Sequence, residues 1–83
     1  MECIITRQTL PGRTVISVSG ALSQAQVPDL LRACGDTRGG LVLIDLTDLV
    51  SADDLAVHAL RRLRTDGAGI VSASQHIQLK LDA

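Results

Sequence analysis

The chain opens with two segments whose apolar residues fit β-strands. In VISVSG, residues 15–20, Ile16 and Val18 point to one side and the residues between them to the other. Such alternation is typical of a half-buried strand, which we expect to end at Gly20. Before it, CIITRQTL, residues 3–10, is β-prone and predicts an edge strand. The LPGRT segment between them predicts a turn.

Two later segments have the period of a helix. In the first, the apolar positions fall at i, i+3, i+4 and i+7, which mark one stripe of an amphipathic helix: Val27, Leu30, Leu31 and Cys34. We expect this helix to start near Ala25 or Gln26 and to stop at Gly35. A second helix is predicted from about Asp53 to Arg64. Its expected buried stripe consists of Ala56, Ala59, Leu60 and Leu63.

The remaining apolar runs complete an alternating order. LVLIDL, residues 41–46, predicts a strand that is covered on both faces or is central and parallel. IVSAS predicts another parallel strand, and SQHIQLKLDA a last helix of two turns. The order β, β, α, β, α, β, α predicts an α/β fold with right-handed crossovers. We expect one domain over residues 1–83, with a mixed, mostly parallel four-stranded sheet and two to three helices.

Composition narrows the range of partners. The 83 residues include no Phe, Tyr or Trp, and eight basic against nine acidic residues give a net charge of −1. We therefore expect no nucleic-acid partner, since neither a stacking platform nor a basic footprint is present. No apolar run approaches the roughly 20 residues of a membrane-spanning helix, so we expect no direct membrane insertion.

The two cysteines help to predict the cellular compartment of the protein. Cys3 and Cys34 form no CxxC pattern, and no signal peptide is recognisable at the start of the chain. We expect a cytoplasmic protein whose thiols are small buried apolar groups rather than a disulfide.

Charged and polar residues gather where the second helix is predicted to begin. The loop follows the carboxyl end of a predicted parallel strand, and α/β sheets place their binding and catalytic residues at such ends. One interpretation is capping alone, since Asp53 can be the N-cap and Ser51 and Asp54 have the S-x-x-D spacing of a capping box. The alternative is a recognition surface. Leu55, Val57 and His58 favour it, because they lie off the predicted buried stripe and need a covering partner or loop: an exposed apolar patch of this kind marks an interaction site.

Catalysis is the weakest interpretation. Asp54 and His58 are four residues apart and share a helix face, but a zinc site needs a third ligand and some enclosure. His76 lies far along the chain, and the glycine-rich GDTRGG precedes a strand, whereas a phosphate loop follows one. We expect no enzymatic activity, cofactor or metal.

Three segments, in this order and spacing, resemble STAS domains, the fold of anti-sigma factor antagonists. The stretch VISVSGALSQAQVPDLLRAC is similar to the family's opening, at Gly20, Leu22, Ser23, Pro28 and Leu30. LVLIDLTDLVSADDLAVHAL is similar to its central segment, at Asp45, Leu46, Thr47, Leu49 and Asp53. DGAGIVSASQHIQLKL resembles its ending, so the likeness covers about residues 10–82.

The resemblance implies a regulatory switch that this chain has lost. In the family, a serine pair opening the second helix is phosphorylated by a kinase with a GHKL-type ATP fold, and the phosphate blocks docking. Here Asp54 and Leu55 stand in the place of that pair, and Ala56 replaces the glycine that follows it. Asp54 supplies one fixed negative charge where a phosphate carries nearly two. Ser51 and Thr47 keep hydroxyls nearby.

The resemblance implies a non-enzymatic module that docks an anti-sigma factor or a serine kinase through the second helix. The implied surface comprises Ser23, Ser51, Asp53, Asp54, Leu55, Val57, His58 and Arg61. The alternative is an accessory STAS subunit of a phospholipid-type ABC transporter, bound to its ATPase. A homodimer through the sheet edge, or through Leu55 and Val57, is a further hypothesis.

Overall fold

The computed structural model describes residues 2–35 and 40–82, which form five strands and three α-helices. The elements are β1 (Cys3–Leu10), β2 (Arg13–Leu22), a 3-10 turn (Gln24–Gln26), α1 (Val27–Gly35), β3 (Leu41–Asp45), β4 (Leu49–Ala52), α2 (Asp54–Thr65), β5 (Gly69–Val71) and α3 (Gln75–Asp82). The predicted α/β class is confirmed. Every expected strand and helix is present, and β4 is an addition.

The sheet is mixed, and β2 pairs with three other strands, β1, β3 and β4. β1 pairs antiparallel with β2 through the Pro11–Gly12 turn, where Gly12 has a φ of 78°. β3 lies parallel to the first half of β2, β4 lies parallel to its end, and β5 lies parallel to β3. The longest pairing is the antiparallel one, so the expectation of a mostly parallel sheet was too strong.

Strand β4 was missed because its residues do not alternate. In LVSA the buried residues are Leu49 and Ala52, three positions apart. The register between β2 and β4 shifts between Gly20 and Ala21, which accommodates the extra residue as a bulge does. β2 accordingly continues past Gly20 to Leu22, two residues beyond its predicted end.

The core lies between one face of the sheet and the helices. Ile16 and Val18 lie on the same side of β2, as their alternation predicted, and both point into the core together with Ile44 of β3. Each helix contributes fully buried aliphatic side chains to the same cluster: Leu30 of α1, Leu60 of α2, and Ile77 and Leu81 of α3. The described part of the molecule therefore has two layers.

Two helical positions differ from the predicted stripes. Leu31 was expected to be buried but is 44% exposed, because α1 covers the sheet through a narrower stripe centred on Leu30. Val57 was expected to lie off the buried stripe but is only 9% exposed and belongs to the core. Helix α2 contacts α1 and α3 as well as the core, so its buried arc is wider than one stripe.

Strand β3 is central, between β2 and β5, as one of the two interpretations of LVLIDL required. It is not covered on both faces. Leu41 is 52% exposed and Leu43 is half-buried, on the side of the sheet away from the core cluster. A continuous apolar run thus overstated the coverage of this strand.

Cys3 and Cys34 are partly buried thiols and do not form a disulfide, and burial raises the pKa of both. Residues 36–39, the middle of the GDTRGG segment, lie outside the described residues. Among those described, no helix has the length and apolar character needed to cross a membrane.

Candidate functional site

Asp53 joins the two loops that carry the predicted surface. It is the N-cap of α2, and its Oδ1 accepts a hydrogen bond from the Ala56 N–H at 2.8 Å. Its Oδ2 accepts a second bond, from the Gln24 N–H at 2.8 Å, in the turn that leads into α1. The backbone N–H of Asp53 donates to the Leu22 carbonyl at 3.1 Å, so backbone and side chain together fix the junction.

These bonds also set the charge of Asp53. The N–H groups of Ala56, first, and of Gln24 stabilise the carboxylate and lower its pKa below the ordinary value of 3.8. Backbone N–H groups at a helix start have no partner within the helix, and the helix dipole favours negative charge there. Capping is therefore a shown role of Asp53.

Ser23 is held by its own turn and lies on the loop next to Asp53. The side-chain Oε1 of Gln26 accepts bonds from the Ser23 N–H, at 3.0 Å, and from the Ser23 hydroxyl. Both residues are half-buried. The S-x-x-Q spacing is that of a capping box, a signal that would have identified Gln26 from the sequence.

The exposed part of the site lies on the first turns of α2. Asp54, His58 and Arg61 are exposed, and their spacing of four and then three residues places them along one helix face. Leu55 is 53% exposed, beside Asp54. Ser51, on β4, and Asp53 are exposed as well. Six of the eight predicted residues are therefore exposed near this helix start, while Ser23 is half-buried and Val57 is buried.

Val57 does not belong to this surface. Val57 is only three positions after Asp54 in the sequence, but its side chain faces the core. Substitution of Val57 would therefore act on stability rather than on a docking contact. The homodimer hypothesis that used Leu55 and Val57 together loses one of its two residues for the same reason.

One exposed apolar residue at the site was not predicted. Val50, on β4 next to Ser51, is among the most exposed large hydrophobic residues of the described chain. Sequence reasoning missed it because β4 was not recognised as a strand. Val50 and Leu55 lie on either side of Asp53 in the sequence, and both are exposed.

The two hydroxyls near the helix start differ in their contacts. The Thr47 hydroxyl donates to Asp45 Oδ1 at 2.5 Å, and the Thr47 N–H donates to the same oxygen at 2.9 Å. The hydroxyl bond, and then the N–H bond, lower the pKa of Asp45. The exposed Ser51 hydroxyl makes no hydrogen bond with any of residues 2–35 and 40–82, so of the two hydroxyls it is the more accessible to a modifying enzyme.

Helix α3 supports the site from behind. The Lys80 Nζ donates to the Ala52 carbonyl at 3.2 Å, which ties α3 to the end of β4. Arg64, near the end of α2, donates to Asp82 Oδ1 and to the Leu81 carbonyl, both at 3.1 Å. These contacts fix the position of α2 relative to β4.

The exposed side chains of the arrangement are charged, hydroxyl-bearing and apolar. His58 and His76 are both exposed, and Asp54 is the only carboxylate on the same helix face one turn before His58. Among the described residues, no three His, Cys, Asp or Glu side chains are close enough to hold a metal ion together.

The site thus combines the Asp53 cap, the neighbouring Asp54 carboxylate and the exposed side chain of Leu55 at one helix start. Comparison with known sequences adds no family to this description: the chain matches no family model, and no curated protein is significantly similar to it.

Proposed function

We propose that this chain is a STAS-like protein-interaction module that docks a regulatory protein, an anti-sigma factor or a GHKL-type serine kinase, through the start of α2. The docking surface comprises Ser23, Ser51, Asp53, Asp54, Leu55, His58 and Arg61. Val57, which is buried, is left out of it. The proposal extends the resemblance of the sequence to anti-sigma factor antagonists.

The observation that carries the proposal is the exposure of Leu55 directly beside Asp54 on the first turn of α2. A large aliphatic side chain left in water at a rigid, capped helix start is suited to a partner's apolar pocket. Asp54 beside it fixes one negative charge, so a phosphorylation switch at this point is replaced by a permanent carboxylate. Docking would then be constitutive or regulated at another hydroxyl, of which Ser51 is the more accessible.

The test is affinity capture from the native lysate with ATP or ADP, followed by mass spectrometry of the partners and of the bait. Five baits are compared: wild type, Leu55→Ala, Asp54→Ser, and the matched controls Leu79→Ala and Asp66→Ser, which change exposed residues of the same types away from the site. We expect an anti-sigma factor or a GHKL-type kinase with wild type and with both controls, and its loss or reduction with Leu55→Ala. Asp54→Ser should change the nucleotide dependence of capture.

Two outcomes contradict the proposal. If Leu55→Ala and Asp54→Ser retain every partner at wild-type yield, the α2 surface is not the docking site. If a transporter ATPase is recovered in stoichiometric amount with an unmodified bait, the chain is an accessory subunit of a transport system instead.

A further inference from the structure

The side of the sheet that faces away from the helices carries an apolar patch. In β2, the buried Ile16 and Val18 alternate with Val15 and Ser17, which point to the opposite side. Val15 pairs with Leu43 of β3, and neighbouring positions add Leu41 and Val71. We call Val15, Leu41, Leu43 and Val71, together with Arg13 and Asp45 at its two ends, the outer patch.

The outer patch is open to solvent within the described part of the chain. Leu41 and Val71 are exposed, Val15 and Leu43 are half-buried, and all three helices contribute their buried residues to the opposite side. Solvated faces of antiparallel sheets are usually polar, as the Thr6, Gln8 and Ser17 part of this face is. Contiguous aliphatic residues on such a face mark an interaction surface.

The charges at the ends of the patch indicate what covers it. Arg13 pairs with Leu41 at the start of β3, and Asp45 lies at the end of β3, paired with Ser17. Arg13 is exposed and has no ion pair with a described residue. Bonds from Thr47 keep the Asp45 carboxylate ionised. The patch is therefore positive at one end and negative at the other, with aliphatic side chains between.

Such a surface is complementary to itself. A two-fold axis in the contact plane, at right angles to the strands and through the Val15–Leu43 pair, sets each strand against its own copy running in the opposite direction. Val15 and Leu43 then meet their counterparts, and Arg13 lies over Ser17 of the second copy, next to its Asp45. Facing sheets pack about 10 Å apart, a gap that two side chains fill, and an arginine is long enough to reach a carboxylate across it.

We propose that this chain forms a symmetric homodimer by packing the outer patch of one copy against that of another, with Arg13 of each copy paired to Asp45 of the other. The three strands that carry the patch, about 4.8 Å apart and up to about 17 Å long, give a contact of at most roughly 240 Å² in projection. This is well below the about 800 Å² per partner of a standard interface. The dimer is therefore weak and reversible.

The first test compares two like substitutions. Leu41→Lys places a charge in the outer patch, whereas Leu31→Lys places one on α1, at a leucine of similar exposure (44% against 52%) outside the patch. Mass is measured by sedimentation equilibrium from about 10 µM to about 1 mM. We expect wild type and Leu31→Lys to pass from monomer to dimer, and Leu41→Lys to dimerise at least about tenfold more weakly. Should Leu41→Lys fail to fold, as judged by far-UV circular dichroism, Val71→Lys replaces it.

The second test addresses the ion pair. Arg13→Glu sets two like charges together across the interface and should weaken the dimer at least about tenfold. Adding Asp45→Asn removes one of them, keeps the Oδ1 acceptor for Thr47, and should recover part of the loss. Within one chain Arg13 and Asp45 are four positions apart along the sheet, about 13 Å. Such exposed charges are largely screened at physiological salt, so the recovery reports contact between copies.

The results that overturn the proposal are distinct. A wild type that remains monomeric at the highest concentration excludes a second copy as the occupant and leaves the patch to another protein. A dimer that withstands Leu41→Lys and Val71→Lys uses another surface, such as the β1 edge. Loss of the dimer in Leu31→Lys, or an Arg13→Glu effect that Asp45→Asn does not change, would also contradict it.

Discussion

Asp53 shows how one side chain can both start a helix and join two loops. Its two oxygens accept from Ala56 and from Gln24, and these bonds lower its pKa below 3.8. A carboxylate with a lower pKa in the folded than in the unfolded state adds stability above the unfolded value, and this is lost as the pH falls through the folded value. The cap therefore weakens in acid.

Asp53→Asn is expected to lower the melting temperature at about pH 7, because the amide keeps one acceptor oxygen and loses the charge. The difference from wild type should shrink as the pH falls below 3.8 and through the lowered pKa of the wild-type carboxyl, because that carboxyl then also becomes protonated. Asp45 and Asp82, whose pKa values are lowered as well, are common to both proteins and cancel in this comparison. Thermal unfolding followed by far-UV circular dichroism measures it. A difference that is constant with pH would contradict this role of the charge.

Gly20 is a second position where a single residue decides the local structure. Its φ is 84°, and a Cβ added there would lie 1.8 Å from the Glu2 carbonyl oxygen. Gly20→Ala is expected to destabilise by at least about 2 kcal/mol, since a positive φ costs a non-glycine residue of order 1–3 kcal/mol and the backbone must also move. Gly12→Ala is the matched control, because Gly12 has a φ of 78° but open space around its Cβ. Equal losses in urea denaturation would show that the clash adds nothing.

At the scale of whole elements, α2 separates packing residues from docking residues. Val57→Ala is expected to cost roughly 1–3 kcal/mol of the free energy of unfolding, because a buried aliphatic side chain is truncated. Leu55→Ala, two positions earlier and 53% exposed, should change stability by less than about 0.5 kcal/mol. The proposed partner binding should respond in the opposite order. Urea denaturation measures the first contrast, and a Val57→Ala protein as stable as wild type would show that the side chain is not in the core.

The elements with clear periodicity were predictable, and those defined by long-range pairing were not. Ile16 and Val18 alternate, and Ala56 and Leu60 recur at helical spacing, so β2 and α2 were found from local pattern alone. β4 exists because it pairs with the end of β2 across a bulge, which leaves no period in its own sequence. At the site, the cap at Asp53 was predictable from residue type, whereas its bond to Gln24 required the fold.

Exposure was the least predictable property, for the same physical reason. Val57 is buried because α2 contacts α1 and α3, and Leu31 is exposed because nothing described lies over that side of α1. In both helices the apolar period is correct, but the width of the buried arc depends on neighbours that a single segment does not encode. The uncovered side of β3 follows the same logic.

For the molecule as a whole, the two proposed surfaces are separate. The α2 residues of the docking surface, which are Asp54, Leu55, His58 and Arg61, lie in the helical layer, whereas the outer patch lies on the other side of the sheet. Self-association therefore leaves Leu55 free, and two partners can bind one dimer. Linked in this way, two weak docking contacts reinforce each other when the partner is itself dimeric, because the second contact becomes intramolecular.

The stability of the whole molecule is expected to depend on its aliphatic core. The free energy of unfolding of an 83-residue chain is expected to be about 4–12 kcal/mol, and this core is built without aromatic side chains. Leu60 is fully buried at the centre of α2, so Leu60→Ala should remove about 2–5 kcal/mol, a large share of the total. Leu79→Ala is the control, since Leu79 is 65% exposed on α3. Because the chain has no Trp or Tyr, urea unfolding is followed by far-UV circular dichroism. We expect a much lower midpoint for Leu60→Ala alone. Midpoints that fall equally in both variants would mean that stability does not rest on this aliphatic core.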